Sequence, residues 1–447
     1  MTDVRDLSDT ADSPADDAVS LDGFNPFDPG VQQCPHAYYA KMREDTSVFH
    51  VPDTDIYMVT RHDLVVPILR DTATFSSGFS TAGMMPDAAL LEKMKAIMAE
   101  GWPPVPTMLT IDPPHHTRFR STVAPYFTPK TMATLREPIT AIVDRLIDEL
   151  PADGEEFDVV TALNVPVPIE AIAHVLNVPA SKLDDFKRWS DDFIAPIGSN
   201  PTEERRLEAL RGTVEFQHYF AEQLEQRRTE PVGDLMSDLV QSRIVADEGH
   251  PDIDGENDKG EPTRPLTMAE MLSIVSQLLV AGNETTTKSL TEGFRLLAEN
   301  PDVWEKLRAD PAGYAPNVTE EVLRLSTPTQ GMFRIVQQDT EIDGVPVPKG
   351  ARLVVMYAAA NRDPEVFDDP DAFDPDREGL MKQHLAFGKG IHFCLGAPLS
   401  RLEMNVVFER LGERLAEVNV TDRNEFQYFP SFMLRGLTHL WATVQRA

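Results

Sequence analysis

The chain has 447 residues, 41% of them hydrophobic, and its 73 acidic against 41 basic residues give a net charge of −32. This negative charge makes nucleic acid and anionic lipid poor partners. The two cysteines, Cys34 and Cys394, are too few for a disulfide framework and are typical of a reducing compartment.

The first 22 residues are acidic and polar, and this composition predicts a disordered tail. They contain neither the basic nor the apolar part of a signal peptide. The chain also contains no run of about 20 apolar residues that would span a membrane. We therefore predict a cytoplasmic protein without membrane attachment. Because no Gly/Ser linker or internal repeat divides the rest, we predict a single domain over residues 23–447.

The apolar pattern predicts a mainly α fold with small β-sheets. Alternation over residues 56–60 predicts a strand, and residues 76–108, rich in Gly, Pro and Met, are predicted to be irregular. The polar segment 247–265 is predicted to be an exposed loop. Helical spacing recurs over residues 135–150, 183–193, 205–228, 268–297, 318–325 and 397–411, and strands are predicted at 333–336, 352–357 and 439–444.

The first motif with chemical content lies at residues 112–120, Asp-Pro-Pro-His-His-Thr-Arg-Phe-Arg. The prolines favour the start of a helix, which places His116 and Arg120 on one face. Two cationic donors one helical turn apart suit a carboxylate ligand.

A second motif, Ala-Gly-Asn-Glu-Thr-Thr at residues 281–286, interrupts an otherwise apolar helix. Such local inconsistencies tend to mark functional sites. Gly282 weakens the helix, and a following threonine can donate a hydrogen bond back to a carbonyl, which opens a groove. Further along, Glu321 and Arg324 are three residues apart and can form an ion pair, although such pairs are common on helix surfaces.

The most informative motif is Phe-Gly-Lys-Gly-Ile-His-Phe-Cys-Leu-Gly at residues 387–396. It places Cys394 in a glycine-rich turn before a helix, where backbone N–H groups and the helix dipole are expected to lower the pKa of the thiol. Glycines such as Gly388 and Gly396 let the backbone pass close to a flat cofactor. A single anionic sulfur held in this way suits an axial bond to haem iron.

These motifs, in this order, resemble those of the cytochrome P-450 family. Phe387, Gly390, Cys394 and Gly396 match F-x-x-G-x-x-x-C-x-G, while residues 281–285 match A-G-x-[DE]-T. The resemblance extends from about residue 24 to the C-terminus and is to the soluble bacterial type. It implies the cytochrome P-450 fold, with many helices around a haem b that the Cys394 thiolate binds. The segment 247–265 is longer than is usual in the family.

The resemblance also implies roles for individual residues. Thr285 and Glu284 would be catalytic and deliver protons during oxygen activation, and Arg377 would join the Glu321–Arg324 pair. His115 stands where the family usually has an acid, so the sequence leaves open whether His115 or His116 faces the haem. The remaining residues implied to contact the cofactor are His116, Arg120, Arg334, His392, Ala281, Phe387, Gly388 and Gly396.

The resemblance implies a monooxygenase that inserts one atom of O2 into a hydrophobic small molecule, by hydroxylation or epoxidation. No reductase or iron–sulfur segment is fused to the chain, so electrons are expected from a separate ferredoxin and its NAD(P)H-dependent reductase. The ferredoxin is expected to dock near Cys394, on a basic island of Lys382, Lys389, Arg118 and Arg401. The family default is a monomer.

Two other functions remain open at this point. One is a peroxide-driven or isomerase-type haem-thiolate enzyme, and the other is a gas sensor or carrier that performs no catalysis. The intact Glu284–Thr285 pair favours monooxygenation over the first. The chain has no evident second axial ligand or output domain, which argues against the second.

Overall fold

The computed structural model describes residues 19–78, 87–197, 199, 201–247 and 251–447. Most of the predicted N-terminal tail, residues 1–18, lies outside the described residues. Of the rest of that segment, Val19 is buried, and Leu21 packs on a cluster around Phe24 and accepts its N–H.

Helices form most of the described structure. The N-terminal half contains α1 (Pro29–Gln33), α2 (His36–Asp45), α3 (His62–Arg70), α4 (Ala88–Met98), α5 (His115–Val123), α6 (Pro129–Asp148), α7 (Pro166–Val175), α8 (Leu183–Ile194) and α9 (Glu203–Thr229). The C-terminal half contains α10 (Leu235–Gln241), α11 (Met268–Glu299), α12 (Pro301–Ala309), α13 (Pro311–Ser326), α14 (Tyr357–Ala360), α15 (Leu380–Gln383) and α16 (Ala397–Arg414).

In the part of the chain that the structure describes, the strands form four small sheets. The largest has the order β1-β2-β11-β8-β3, with β11 parallel to β2 and antiparallel to β8. Its strands are β1 (Val48–His50), β2 (Ile56–Val59), β3 (Phe75–Ser76), β8 (Met332–Val336) and β11 (Arg352–Val355). The others comprise β4 (Phe157–Asp158) with β12 (Leu415–Val420) and β13 (Trp441–Arg446), β5 (Arg243–Val245) with β6 (Gly255–Glu256) and β7 (Pro262–Pro265), and β9 (Thr340–Ile342) with β10 (Val345–Val347).

The predicted mainly α architecture with small sheets is confirmed, and two local predictions are wrong. Residues 76–108 contain helix α4, which begins because the Asp87 side chain accepts the Leu90 N–H. Residues 247–265 contribute β6 and β7 to a sheet instead of forming a loop. This sheet is anchored by Arg264, which makes a buried two-point ion pair with Glu270.

Helix α11 runs through the core and positions the candidate site. Thr267 and Glu270 cap its N-terminus reciprocally, so the helix starts at a defined point. It then packs against α7, α8, α13 and α16. At its middle, a Cβ on Gly282 would lie 3.2 Å from Ile172 Cγ1, so the absent side chain lets α7 approach closely. Within the described residues, no helix is both long and apolar enough to cross a bilayer.

Candidate active site

The cysteine loop is a tight turn held by its own backbone. The Cys394 N–H donates to the Phe387 carbonyl at 2.9 Å, and the Phe393 N–H donates to the Gly390 carbonyl at 3.1 Å. Helix α16 begins three residues after the cysteine, at Ala397. The loop thus holds Cys394 at the N-terminal end of an 18-residue helix, as the sequence predicts.

Gly390 is the position in this loop where a side chain is least tolerable. Its φ is +73°, in the left-handed region, and a Cβ there would lie 2.6 Å from the Leu69 carbonyl oxygen of α3. Gly388 also has a positive φ of 66°. These two glycines let the loop turn sharply while it packs directly on its neighbours.

Without a bound cation, burial outweighs the features that were expected to lower the pKa of the Cys394 thiol. Burial raises the pKa of this thiol, and the N–H groups of Gly396 and Ala397 and the charge of Arg120 lower it only in part. The prediction counted the hydrogen bonds and the helix dipole but not the cost of removing the thiolate from water. A cation bound to the sulfur reverses this balance, because a coordinating thiol is deprotonated outright.

Three of the predicted carboxylate-binding residues lie together beside this loop. His116 of α5 and His392 of the loop contact each other edge to face, with ring centroids 4.4 Å apart, and His116 and Arg334 of β8 are buried. Both ring nitrogens of His116, Nε2 of His392 and Nε of Arg334 have no hydrogen-bond partner among the described residues. Burial lowers the pKa of His116 and lowers that of His392 to about 4.

The two adjacent histidines lie in different surroundings. His116 is buried in the cluster, whereas His115 is exposed and lies 3.4 Å from Asp247. The fourth predicted donor, Arg120, donates to the Ile391 and Phe393 carbonyls at 3.1 and 2.7 Å and so braces the cysteine loop.

These residues fit a flat, dianionic cofactor. Buried donors without partners are rare in proteins and point to a group that completes them. Here they belong to two histidines and an arginine, the partners that carboxylates prefer. They lie next to a loop that carries a single cysteine in a cradle shaped by glycines. A haem, with two propionates and one axial thiolate position, matches this set of donors.

The acid–threonine motif lies at the middle of α11. The Thr285 hydroxyl donates to the Ala281 carbonyl at 2.9 Å, which confirms the predicted back-bond, although α11 continues through Gly282 without a break. Ala281 is exposed and Thr285 half-buried, whereas Asn283 and Thr286 are buried. This face of α11 therefore borders open space at Ala281 and Thr285.

Glu284 is engaged by two lysines. Its carboxylate accepts a hydrogen bond from Lys288 at 2.6 Å and lies 3.7 Å from Lys187 of α8. Burial raises the pKa of Glu284, but the two ammonium groups outweigh burial and leave the pKa below its usual range. The carboxylate is therefore ionised at neutral pH. Sequence analysis missed Lys288, although its spacing of four residues from Glu284 would have indicated the pair.

A second acid near this motif was also missed. Glu403 of α16 is fully buried, and neither carboxylate oxygen has a hydrogen-bond partner among the described residues. Burial raises its pKa to about 8. Thr286 itself donates to Ser400 at 3.1 Å. Glu403 is thus a neutral acid at pH 7, one helix away from the acid–threonine motif.

We expect Glu403 to make stability depend on pH. Its folded-state pKa of about 8 exceeds its ordinary value of 4.5, so the folded state binds more protons between these values. The free energy of unfolding should therefore fall by about 1.4 kcal/mol per pH unit across this window and level off above it. The free energy of unfolding can be measured by urea unfolding at several pH values from 5 to 9. It should change less per pH unit in Glu403→Gln than in the unaltered protein. Identical slopes would contradict the assignment.

The Glu321–Arg324 ion pair is fully buried. Arg377 joins it by contacting Glu321, as the resemblance implies. Arg324 makes a two-point ion pair with Glu321 at 2.8 and 2.6 Å, and Arg377 donates to the same carboxylate at 3.1 Å. Arg324 also donates to the carbonyls of Asn361, Pro370 and Ala372. This network joins α13 to the irregular segment 361–377 that precedes the cysteine loop.

The segment between α4 and α5 is held over α9 and α11 by side-chain amides. Gln217 of α9 accepts the Trp102 N–H at 2.9 Å and donates to the Trp102 carbonyl at 3.0 Å. On α11, Ser273 accepts the Val105 N–H and Gln277 accepts the Leu109 N–H. The segment beside the open face of α11 is therefore held in position by these few hydrogen bonds.

The predicted basic island loses two of its four members. Arg118 makes a two-point ion pair with Asp247, and Arg401 makes one with Glu320. The prediction counted cations along the sequence, whereas the fold supplies a carboxylate to each of these two. The surface around the cysteine loop instead exposes Met381, Ile391 and Phe393.

The chain matches known proteins over most of its length. A family model described as Cytochrome P450 matches residues 169–416. Erythromycin C-12 hydroxylase of Saccharopolyspora erythraea is 34% identical over 388 residues, which cover 86% of this chain and 88% of that one. Linalool 8-monooxygenase of Pseudomonas putida is 30% identical over 418 residues, or 92% and 95% of the two chains.

Solved structures agree with these relatives. Cytochrome P450 CYP109Q5 from Chondromyces apiculatus superposes with a TM-score of 0.78 at 34% identity and covers 96% of this chain and 100% of its own. The chain therefore belongs to the cytochrome P450 family, monooxygenases whose haem b is held by a cysteine thiolate.

Proposed function

We propose that the Cys394 thiolate would hold the haem iron and that His116, Arg334 and His392 would bind the haem propionates. The buried donors without partners, beside the only cysteine in a glycine-rich loop, carry this proposal. Arg120 braces the loop and adds positive charge near the sulfur. Phe387, Gly388 and Gly396 shape the loop, and Ala281 bounds the cofactor space from α11. The bound haem supplies the oxygen-activating chemistry, which an electron-rich thiolate promotes.

In this proposal Thr285 and Glu284 supply the protons that O2 cleavage consumes. The Thr285 hydroxyl is held at the open face of α11 by the Ala281 carbonyl, so its oxygen can accept a further hydrogen bond from water and pass a proton on. Glu284 next to it is ionised, so it can accept a proton from water and pass it on, while the two lysines hold its carboxylate in place. Such positioned acid–base groups contribute about 10²–10⁴-fold to a rate.

The substrate we propose is a hydrophobic small molecule, and the electron donors are a ferredoxin and its NAD(P)H-dependent reductase. Relatives are named as an erythromycin hydroxylase, a linalool monooxygenase and a vitamin D(3) hydroxylase, and each name denotes the oxygenation of an organic small molecule. The exposed apolar residues around the cysteine loop suit a protein partner on that face.

Turnover with surrogate partners tests this function. The holoprotein is mixed with a ferredoxin, its reductase and NADH, and a hydrophobic library is first screened for a low- to high-spin change of the haem. Hits should give an oxygenated product coupled to NADH consumption. In Thr285→Ala, product should fall about 10²-fold while NADH consumption continues, because O2 then leaves as hydrogen peroxide. Spin-state hits without product would favour a sensor or carrier.

A further inference from the structure

A buried ionic cluster lies behind the cysteine loop, next to the Glu321–Arg324 network but separate from it. Glu320 of α13 accepts hydrogen bonds from Arg401 Nε at 2.5 Å and from Arg401 Nη2 at 2.9 Å. Its carboxylate also lies 2.8 Å from His384 Nε2. Glu320 and His384 are buried, and Arg401 is mostly so. Apart from the place of Arg401 in the predicted basic island, no role described above uses these residues.

Hydrogen bonding fixes the charge of His384. The Ala386 N–H donates to His384 Nδ1 at 3.2 Å, so Nδ1 presents a lone pair instead of a proton. The proton of the neutral ring is therefore on Nε2, where it is donated to Glu320. The cluster thus contains one negative charge, on Glu320, and one positive charge, on Arg401.

The cluster reaches the cysteine through one aromatic ring and one backbone hydrogen bond. The Arg401 guanidinium lies over the Phe387 ring, 4.6 Å from its centroid. The carbonyl of Phe387 accepts the Cys394 N–H at 2.9 Å. Arg401 is also on α16, about two helical turns after Cys394. A change in the position or charge of the guanidinium therefore alters the electrostatic potential at the Cys394 sulfur.

Given the proposed role of Cys394 as the iron ligand, we propose that Glu320 and Arg401 are positioning residues that set the reduction potential of the haem. The positive charge of Arg401 would favour the reduced form of a haem iron that is bound by the Cys394 thiolate. Glu320 offsets that charge and holds the guanidinium on Phe387. Charges act strongly here because the surroundings are buried and poorly screened. Groups around an axial ligand are an established means of tuning a metal site.

The proposal predicts shifts of opposite sign. In anaerobic spectroelectrochemical titrations of the holoproteins, Glu320→Gln should raise the midpoint potential, because the positive charge is then no longer offset. Arg401→Met should lower it, because the remaining carboxylate disfavours reduction. The double variant Glu320→Gln/Arg401→Met should return close to the unaltered value, since both charges are gone.

Matched variants separate this effect from a loss of structure. Arg410 lies on the same helix and pairs with Asp144 at 2.7 Å, away from the loop, so Arg410→Met should leave the potential unchanged. Arg401→Lys keeps the charge and should stay closer to the unaltered potential than Arg401→Met. If Arg401→Met does not retain haem, Arg401→Gln takes its place.

Two failures are distinguishable. Single variants that shift the potential in the same direction, or not at all, would overturn the role of the ion pair while leaving the ligand assignment intact. An unaltered holoprotein whose reduced form with carbon monoxide lacks the absorption band that names the family would instead refute Cys394 as ligand.

Discussion

Cys394→Ala is expected to abolish the absorption band that the reduced, carbon monoxide-bound protein shows with a thiolate ligand. No other sulfur in the loop can take the axial position, because the other cysteine of the chain is Cys34, 360 residues earlier in the sequence. Cys34 follows α1 and is exposed. Helix content should be retained, since the thiol contributes little packing that alanine lacks.

Cys34→Ala is the matched control for this prediction. It removes the same chemical group at an exposed position, so the band and its intensity per bound haem should not change. The spectra of both variants are recorded after reconstitution with haem and reduction with dithionite under carbon monoxide. A band that persists in Cys394→Ala, or that disappears in Cys34→Ala, would contradict the assignment.

Arg324→Met is expected to lower the free energy of unfolding by about 3–5 kcal/mol, the range for breaking a buried ion pair. Arg324 and Glu321 are both fully buried. The substitution leaves the carboxylate with Arg377 alone among its charged partners and deprives the Asn361, Pro370 and Ala372 carbonyls of a donor. Since whole domains are stable by only about 5–15 kcal/mol, we expect little folded holoprotein at 37 °C.

The surface supplies a control with the same spacing. Glu225 and Arg228 of α9 are also three residues apart and form an ion pair at 3.1 Å, but their side chains are 58% and 36% exposed. Arg228→Met should change the free energy of unfolding by no more than about 0.5 kcal/mol. Urea unfolding followed by circular dichroism compares the two variants. Equal midpoints for Arg324→Met and Arg228→Met would disprove a special role for the buried pair.

Sequence predicted those parts of the fold and site that depend on local pattern. Helices with regular apolar spacing, such as α9 and α11, were found because periodicity reports burial. The Thr285 back-bond also followed from residue types at fixed spacing, whereas the Arg377 contact was implied by the family resemblance. Similar spacing at 225–228 and 321–324 did not reveal which pair is buried, because burial depends on the packing of α13 against α16.

What the sequence did not predict depends on partners that the fold brings from elsewhere. Arg118 and Arg401 were expected to be free cations, and each meets a carboxylate from a distant segment. Burial of the Cys394 thiol reversed the expected direction of its pKa shift. The neighbouring sequence did not indicate that Glu403 is buried without a hydrogen-bond partner, because this burial results from the packing of α16 against α11. The strands within 247–265 were hidden by a polar composition, because even the buried anchor of their sheet, Arg264, is a charged residue.

The pairing of Glu284 with Lys288 makes the charge of this carboxylate independent of the position of α8. Both residues lie on α11, one turn apart, so their separation is set by a continuous helical backbone. Lys187, in contrast, lies on α8 and moves with it. A displacement of α8 therefore withdraws one counter-ion and leaves the other in place. The Glu284 carboxylate therefore keeps one counter-ion, and with it its negative charge, in either position of α8.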